Sequence, residues 1–189
     1  MNIYGITLEE LEKYFENIGS KKFHGKQLYR WLYDKKINSF DEITDMKKDE
    51  IEKIKNDFDM SLIKMVKVEK DKDTRKYLFE LNDKEHIEAV LMLHDYGKSV
   101  CISSEVGCNM GCRFCESGRR KKVRELETYE MVEQILMIEK ELGEKITHVV
   151  IMGIGEPFDN YDNVINFMKI INNNYGLSIG ARHITVSTC

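Results

Sequence analysis

The segment VGCNMGCRFCESG holds Cys108, Cys112 and Cys115 in the spacing C-x3-C-x2-C, with the aromatic Phe114 directly before the last of them. Three thiolates on so short a loop can each bind one iron of a cubane [4Fe–4S] cluster, which leaves the fourth iron without a protein ligand and open to reaction. A structural zinc knuckle is the competing reading. Such sites show paired C-x2-C and C/H spacing, and no histidine follows Cys115 before His148. The five cysteines, an odd number, do not suggest a disulfide framework and fit a reducing compartment. Cys101 lies on a predicted strand and reads as a small buried hydrophobe. No role is assigned to Cys189.

A second group of residues follows another predicted strand. VVIMGIGEPFDN places Gly153, Gly155, Glu156 and Pro157 at its end, where glycine lets the backbone approach a ligand closely and the Glu156 carboxylate can accept from a cofactor ammonium group. Ser187 and Thr188 end a third strand, as a polar rim or as a helix N-cap.

The elements that would position these residues are legible in the periodicity. Residues 7–18, 25–35 and 47–58 read as helices, the first opened by a Thr7/Glu10 capping box and closed at Gly19. Runs at 63–69, 75–81 and 86–93 are rich in Val, Ile, Tyr and Phe and are separated by the turn-like KDKD and NDKE, which predicts antiparallel strands. From residue 99 strands alternate with helices (127–142 and 161–172), the pattern of βαβ units on a parallel sheet. The expected fold is α/β: a helical and β-hairpin accessory domain over 1–95, then the first part of a (β/α) barrel over 96–189, with the cysteine loop at the strand ends where barrels place catalytic groups. The sequence ends directly after the third parallel strand and is expected to be a fragment.

The chain has 189 residues, 42% hydrophobic and 33% charged, with a net charge of −4. That suffices for one sizeable core and argues against coating nucleic acid by bulk electrostatics, though not against a local basic face. No run approaches a membrane span and the N-terminus is acidic, so a cytoplasmic protein is expected.

With HIEAVLM, CISSEVGCNMGCRFC, VVIMGIGEPFDNYDNV and ARHITVST in that order, and FHGKQLYRWLY near the N-terminus, the chain resembles the dual-specificity RNA methyltransferases. These are radical S-adenosylmethionine enzymes that modify C2 of an adenine in 23S ribosomal RNA and, in some members, in transfer RNA. The resemblance implies a radical SAM barrel with a [4Fe–4S] cluster on Cys108, Cys112 and Cys115 and S-adenosyl-L-methionine contacted by Gly155, Glu156 and Ser187. It also implies Glu88 as proton acceptor, a reductant such as flavodoxin, and a monomer. In the family one S-adenosylmethionine methylates a cysteine near the C-terminus, expected beyond position 189. A second generates the radical that moves this methyl carbon to adenine, and another cysteine resolves the adduct. Cys101 is a candidate for that last role. The chain departs from the family pattern at Glu116, where a small residue is usual, and in the RRKKVRE that follows.

The basic run Arg119, Arg120, Lys121, Lys122 and Arg124 is expected to contact RNA phosphates beside the site. A second basic region comprises Lys21, Lys22, His24, Lys26, Arg30, Lys35 and Lys36. Two alternatives stay open: the related adenine-C8 methyltransferase, and a non-catalytic metal- or RNA-binding remnant.

Overall fold

The computed structural model describes all residues from Met1 to Cys189. Helix α1 (Leu8–Asn17) opens as expected. The Thr7 hydroxyl accepts from the Glu10 N–H at 3.4 Å and the Glu10 carboxylate accepts from the Thr7 N–H at 2.9 Å, which satisfies donors that a helix start leaves free. Helix α2 (Phe23–Tyr33) begins before the predicted residue 25 and buries Leu28, Tyr29, Trp31 and Leu32, and α3 (Lys48–Asp57) buries Ile51 and Ile54.

Strands β1 (Lys64–Lys70), β2 (Thr74–Glu80) and β3 (His86–His94) form an antiparallel meander that passes through a tight turn into β4 (Gly97–Ile102). Two short strands, β5 (Glu105–Val106) and β6 (Arg124–Glu125), pair as a separate ribbon on either side of the cysteine loop. Then come α4 (Thr128–Leu142), β7 (His148–Ile151), α5 (Tyr161–Asn172) and β8 (Ile184–Val186). β4 pairs with β7 and β7 with β8, both in parallel, so the main sheet has the order β1-β2-β3-β4-β7-β8.

The expected division at residue 95 falls inside the β3–β4 hairpin, and one sheet runs across it. A single core of 40 buried residues also joins the helical region to the α/β region. Strand alternation puts Tyr77, Phe79, Ile87, Ala89, Leu91, Val100, Ile102, Val149 and Ile151 into that core. The opposite face of the sheet carries Glu88, Val90, Cys101, Val150 and Thr185.

Helix α4 fastens the N-terminal region to the sheet. Its buried Glu133 accepts from Asn2 Nδ2 at 2.8 Å and from the Ile63 N–H at 2.9 Å. Glu141, about two turns further along the helix, holds Lys70, Arg75 and the Tyr77 hydroxyl.

Candidate active site

The adjacent parallel strands β4, β7 and β8 end side by side, and the loops leaving these ends carry the cysteines, the glycine motif and the Ser187–Thr188 pair. In the first loop Cys108 is buried and its N–H donates to the Arg120 carbonyl at 2.9 Å. Cys112 and Cys115 are half-buried, and the Cys115 N–H donates to the Cys112 carbonyl at 3.0 Å. Phe114 stands 94% exposed beside them.

The glycines of the second loop have a more immediate reason than ligand access. A Cβ on Gly153 would lie 2.6 Å from the Ile102 carbonyl oxygen, and one on Gly155, whose φ is +113°, would lie 2.6 Å from the Glu105 Cβ. At these positions the backbone packs closely against the end of β4 and against β5.

Glu156 is 5% exposed and surrounded by donors. Its Oε1 accepts from Thr188 Oγ1 at 2.7 Å and from the Phe158 N–H at 3.1 Å, and its Oε2 accepts from the Cys189 N–H at 3.2 Å. Burial alone would push this carboxyl up, but these hydrogen bonds outweigh it and hold it below the usual carboxylate range. The Cys189 thiol lies 3.5 Å from Oε2. That carboxylate, with burial and the neighbouring Cys112 thiol, pushes Cys189 up to about 11. Ser187 is half-buried, and its N–H extends the β7–β8 ladder by donating to the Ile151 carbonyl at 3.1 Å.

Glu88 lies near the start of β3, level with the end of β4 from which the cysteine segment leaves, and Lys76 Nζ is 2.8 Å from its carboxylate. Val90, on the same face, is the register partner of Cys101 in β4, so Glu88 and Cys101 are diagonal neighbours across the β3–β4 pair. Cys101 is half-buried rather than buried, and burial raises its thiol pKa. Ser103 links this region to the second loop: its hydroxyl donates to the Glu88 carbonyl at 2.7 Å and accepts from the Ile154 N–H at 3.0 Å.

Three residues of the basic run after the cysteines, Arg120, Lys122 and Arg124, are ion-paired with carboxylates of the chain, of which Glu105 and Glu130 are buried. Arg124 makes two hydrogen bonds to buried Glu130, at 2.7 and 2.8 Å, and one to Asp83 at 2.6 Å. Arg120 pairs with Glu85. Lys122 pairs with Glu105 at 2.5 Å and Glu125 at 3.2 Å. Arg119, Arg120 and Lys121 are exposed, and Arg119 Nε lies 3.2 Å from solvent-exposed Glu116. In the helical region Lys22, His24 and Lys36 are likewise paired, with Glu12, Glu50 and Glu139. Lys21, Lys26, Arg30 and Lys35 lie instead against the rings of Phe23, Tyr175 and Trp31.

Sequence reasoning passed over Glu105 and Asn160, both buried. Asn160 Nδ2 donates to the Ser104 and Leu126 carbonyls, each at 2.8 Å, and so ties the glycine loop to both ends of the cysteine segment. The available signal for Glu105 was a carboxylate inside the otherwise apolar and small-residue run CISSEVGC, where an ion needs a partner.

Residues 1–60 match the ribosomal RNA large subunit methyltransferase N-terminal domain and residues 102–189 match the radical SAM superfamily. The chain is 51% identical over 193 residues to a probable dual-specificity RNA methyltransferase RlmN of Streptococcus thermophilus, an alignment that covers 99% of this chain and 50% of that protein. Over nearly its whole length the chain is similar to the dual-specificity RNA methyltransferases. A relative of the same name from Caldanaerobacter subterraneus is 49% identical, with 99% of this chain and 55% of that protein covered. A radical SAM methyltransferase from Sphaerobacter thermophilus superposes with a TM-score of 0.87 at 34% identity, over 100% of this chain and 57% of that one. The chain thus spans about half the length of the curated relatives it matches. The radical SAM match over residues 102–189 implies a [4Fe–4S] cluster and S-adenosylmethionine, and the donor set fits them. In a cubane each of three thiolates takes its own iron, and Cys108, Cys112 and Cys115 share one loop at the strand ends. No helix is long and apolar enough to cross a membrane.

Proposed function

We propose that this chain forms the cluster- and cofactor-binding part of a radical S-adenosylmethionine methyltransferase acting on C2 of an adenine in 23S ribosomal RNA, with transfer RNA as a second substrate class. The observation that carries this reading is the convergence of the cysteine loop, the GIGEP loop and Thr188 on the ends of three adjacent parallel strands, with Glu156 hydrogen bonded to the third. When bound, the cluster and S-adenosylmethionine supply the one-electron chemistry that an unactivated aromatic carbon requires.

The chain's own residues then have separable tasks. Cys108, Cys112 and Cys115 hold three irons. Gly155, Glu156 and Ser187 hold the amino-acid end of the cofactor, where the low-pKa Glu156 carboxylate is matched to an ammonium group. Glu88 accepts the proton lost from C2 after Lys76 releases it, and Cys101, its diagonal neighbour, resolves the adduct. A small reducing protein such as flavodoxin, a monomeric state and a cytoplasmic location complete the proposal.

The test is anaerobic incubation of the reconstituted chain with dithionite and S-adenosylmethionine. Formation of 5′-deoxyadenosine that is lost in Cys112→Ala supports the reading, and none from a fully iron-loaded sample overturns it. Mass spectrometry of modified RNA separates C2 from C8 as the methylated position.

A further inference from the structure

Two charged side chains outside the ligand and cofactor motifs connect the cluster loop to the glycine loop. The Glu105 side chain is fully buried, and its Oε2 accepts from the Glu156 N–H at 3.0 Å. Its other oxygen, Oε1, has no partner except the Lys122 ammonium at 2.5 Å. Lys122 is itself fixed at the exit of the cluster loop: its N–H donates to the side chain of Asn109, next to Cys108, at 3.1 Å, and its ammonium also meets Glu125 of β6.

We propose that Glu105 and Lys122 are positioning residues: Glu105 fixes the backbone of Glu156, and Lys122 keeps Glu105 in place, so that the cluster loop and the cofactor-contacting loop hold one geometry. The inference rests on the reading of Glu156 as a cofactor contact. A carboxylate buried without a counter-ion is strongly disfavoured, so removing the Lys122 ammonium drives Glu105 to turn toward water or take up a proton. Either change weakens its hold on the Glu156 N–H.

The test is amide hydrogen exchange by NMR on the full chain, together with S-adenosylmethionine titration of the reconstituted protein. In Lys122→Met the Glu156 amide should exchange about tenfold faster, while amides at the centre of β7 keep their protection, and cofactor affinity should fall by a similar factor at unchanged iron content. The double variant Glu105→Gln/Lys122→Met keeps a neutral carbonyl facing the Glu156 N–H and should restore both values to within about twofold of wild type. Should Lys122→Met not fold, Lys122→Gln, which removes the positive charge and keeps a polar side chain, is read in the same way. Wild-type exchange at Glu156 in the single variant, or a double variant no better than the single, overturns the proposal. If exchange changes as expected while cofactor affinity stays constant throughout, the positioning role stands and the assignment of Glu156 to the cofactor falls.

Discussion

Thr188 Oγ1 donates to Glu156 Oε1 at 2.7 Å, which joins the loop after β8 to the loop after β7 through one buried carboxylate. Thr188→Val keeps the shape and removes the donor. Urea denaturation at neutral pH should show a loss of about 1 kcal/mol, the usual net worth of such a bond. Because Glu156 titrates below its ordinary range, its contribution is present above the unfolded-state pKa and is lost as pH falls through the folded value. The variant should therefore lose less stability than wild type on acidification.

Glu133 has the opposite sign. Burial is the leading cause that pushes its carboxyl up to about 8, against the hydrogen bonds from Ile63 and Asn2. The folded state then binds this proton more tightly than the unfolded chain does, so the stabilisation is complete below the unfolded-state pKa of about 4.3 and is lost as pH rises toward 8. Thermal unfolding between pH 5 and pH 8 should show this decline, and Glu133→Gln, which cannot ionise, should flatten it. A wild-type curve that rises steadily over the window would contradict the assignment.

Arg124 is tied into the fold by two carboxylates. Its guanidinium satisfies Glu130, whose side chain is 2% exposed, and reaches Asp83 in the β2–β3 turn. Arg124→Met leaves Glu130 buried without its counter-ion and should cost about 3 kcal/mol or more, measured by chemical denaturation. Lys121→Glu, at an exposed position, should change stability by less than about 0.5 kcal/mol.

RNA affinity should divide along the same line. Reversing the charge of Arg119 and Lys121, or of Lys26 and Arg30, should weaken RNA binding and flatten its salt dependence, since each phosphate contact contributes about one unit to the slope. These four side chains are outward-facing. Filter binding across a salt series measures the effect, and unchanged affinity in both double variants would remove these surfaces from consideration.

The elements were legible wherever the signal is local. The capping box at Thr7, the span Tyr161–Asn172 and the three meander strands follow from side-chain periodicity and turn chemistry within each segment. The joining of β3 to β4 across residue 95 was not legible, because strand pairing depends on partners and a short turn reads the same within a sheet as between domains. The site shows a similar contrast. The spacing of Cys108, Cys112 and Cys115 is a local signal, whereas the basic run looked free because its partners Asp83, Glu85, Glu105 and Glu130 come from other elements. The glycines of GIGEP were read as places where a ligand approaches the backbone, whereas the neighbours the structure shows there are the end of β4 and β5, a contact that exists only once the sheet is assembled.

The central claim is that the three loop cysteines hold a cluster with one open iron that S-adenosylmethionine occupies. Anaerobic reconstitution with iron and sulfide tests it most directly, with iron and sulfide counts and electron spin resonance recorded with and without S-adenosylmethionine for wild type and Cys112→Ala. The predicted result is about four irons per chain and a reduced-cluster signal that shifts on adding the cofactor, both lost in the variant. Stoichiometric zinc without labile sulfide, or a cluster whose signal ignores the cofactor, would contradict it.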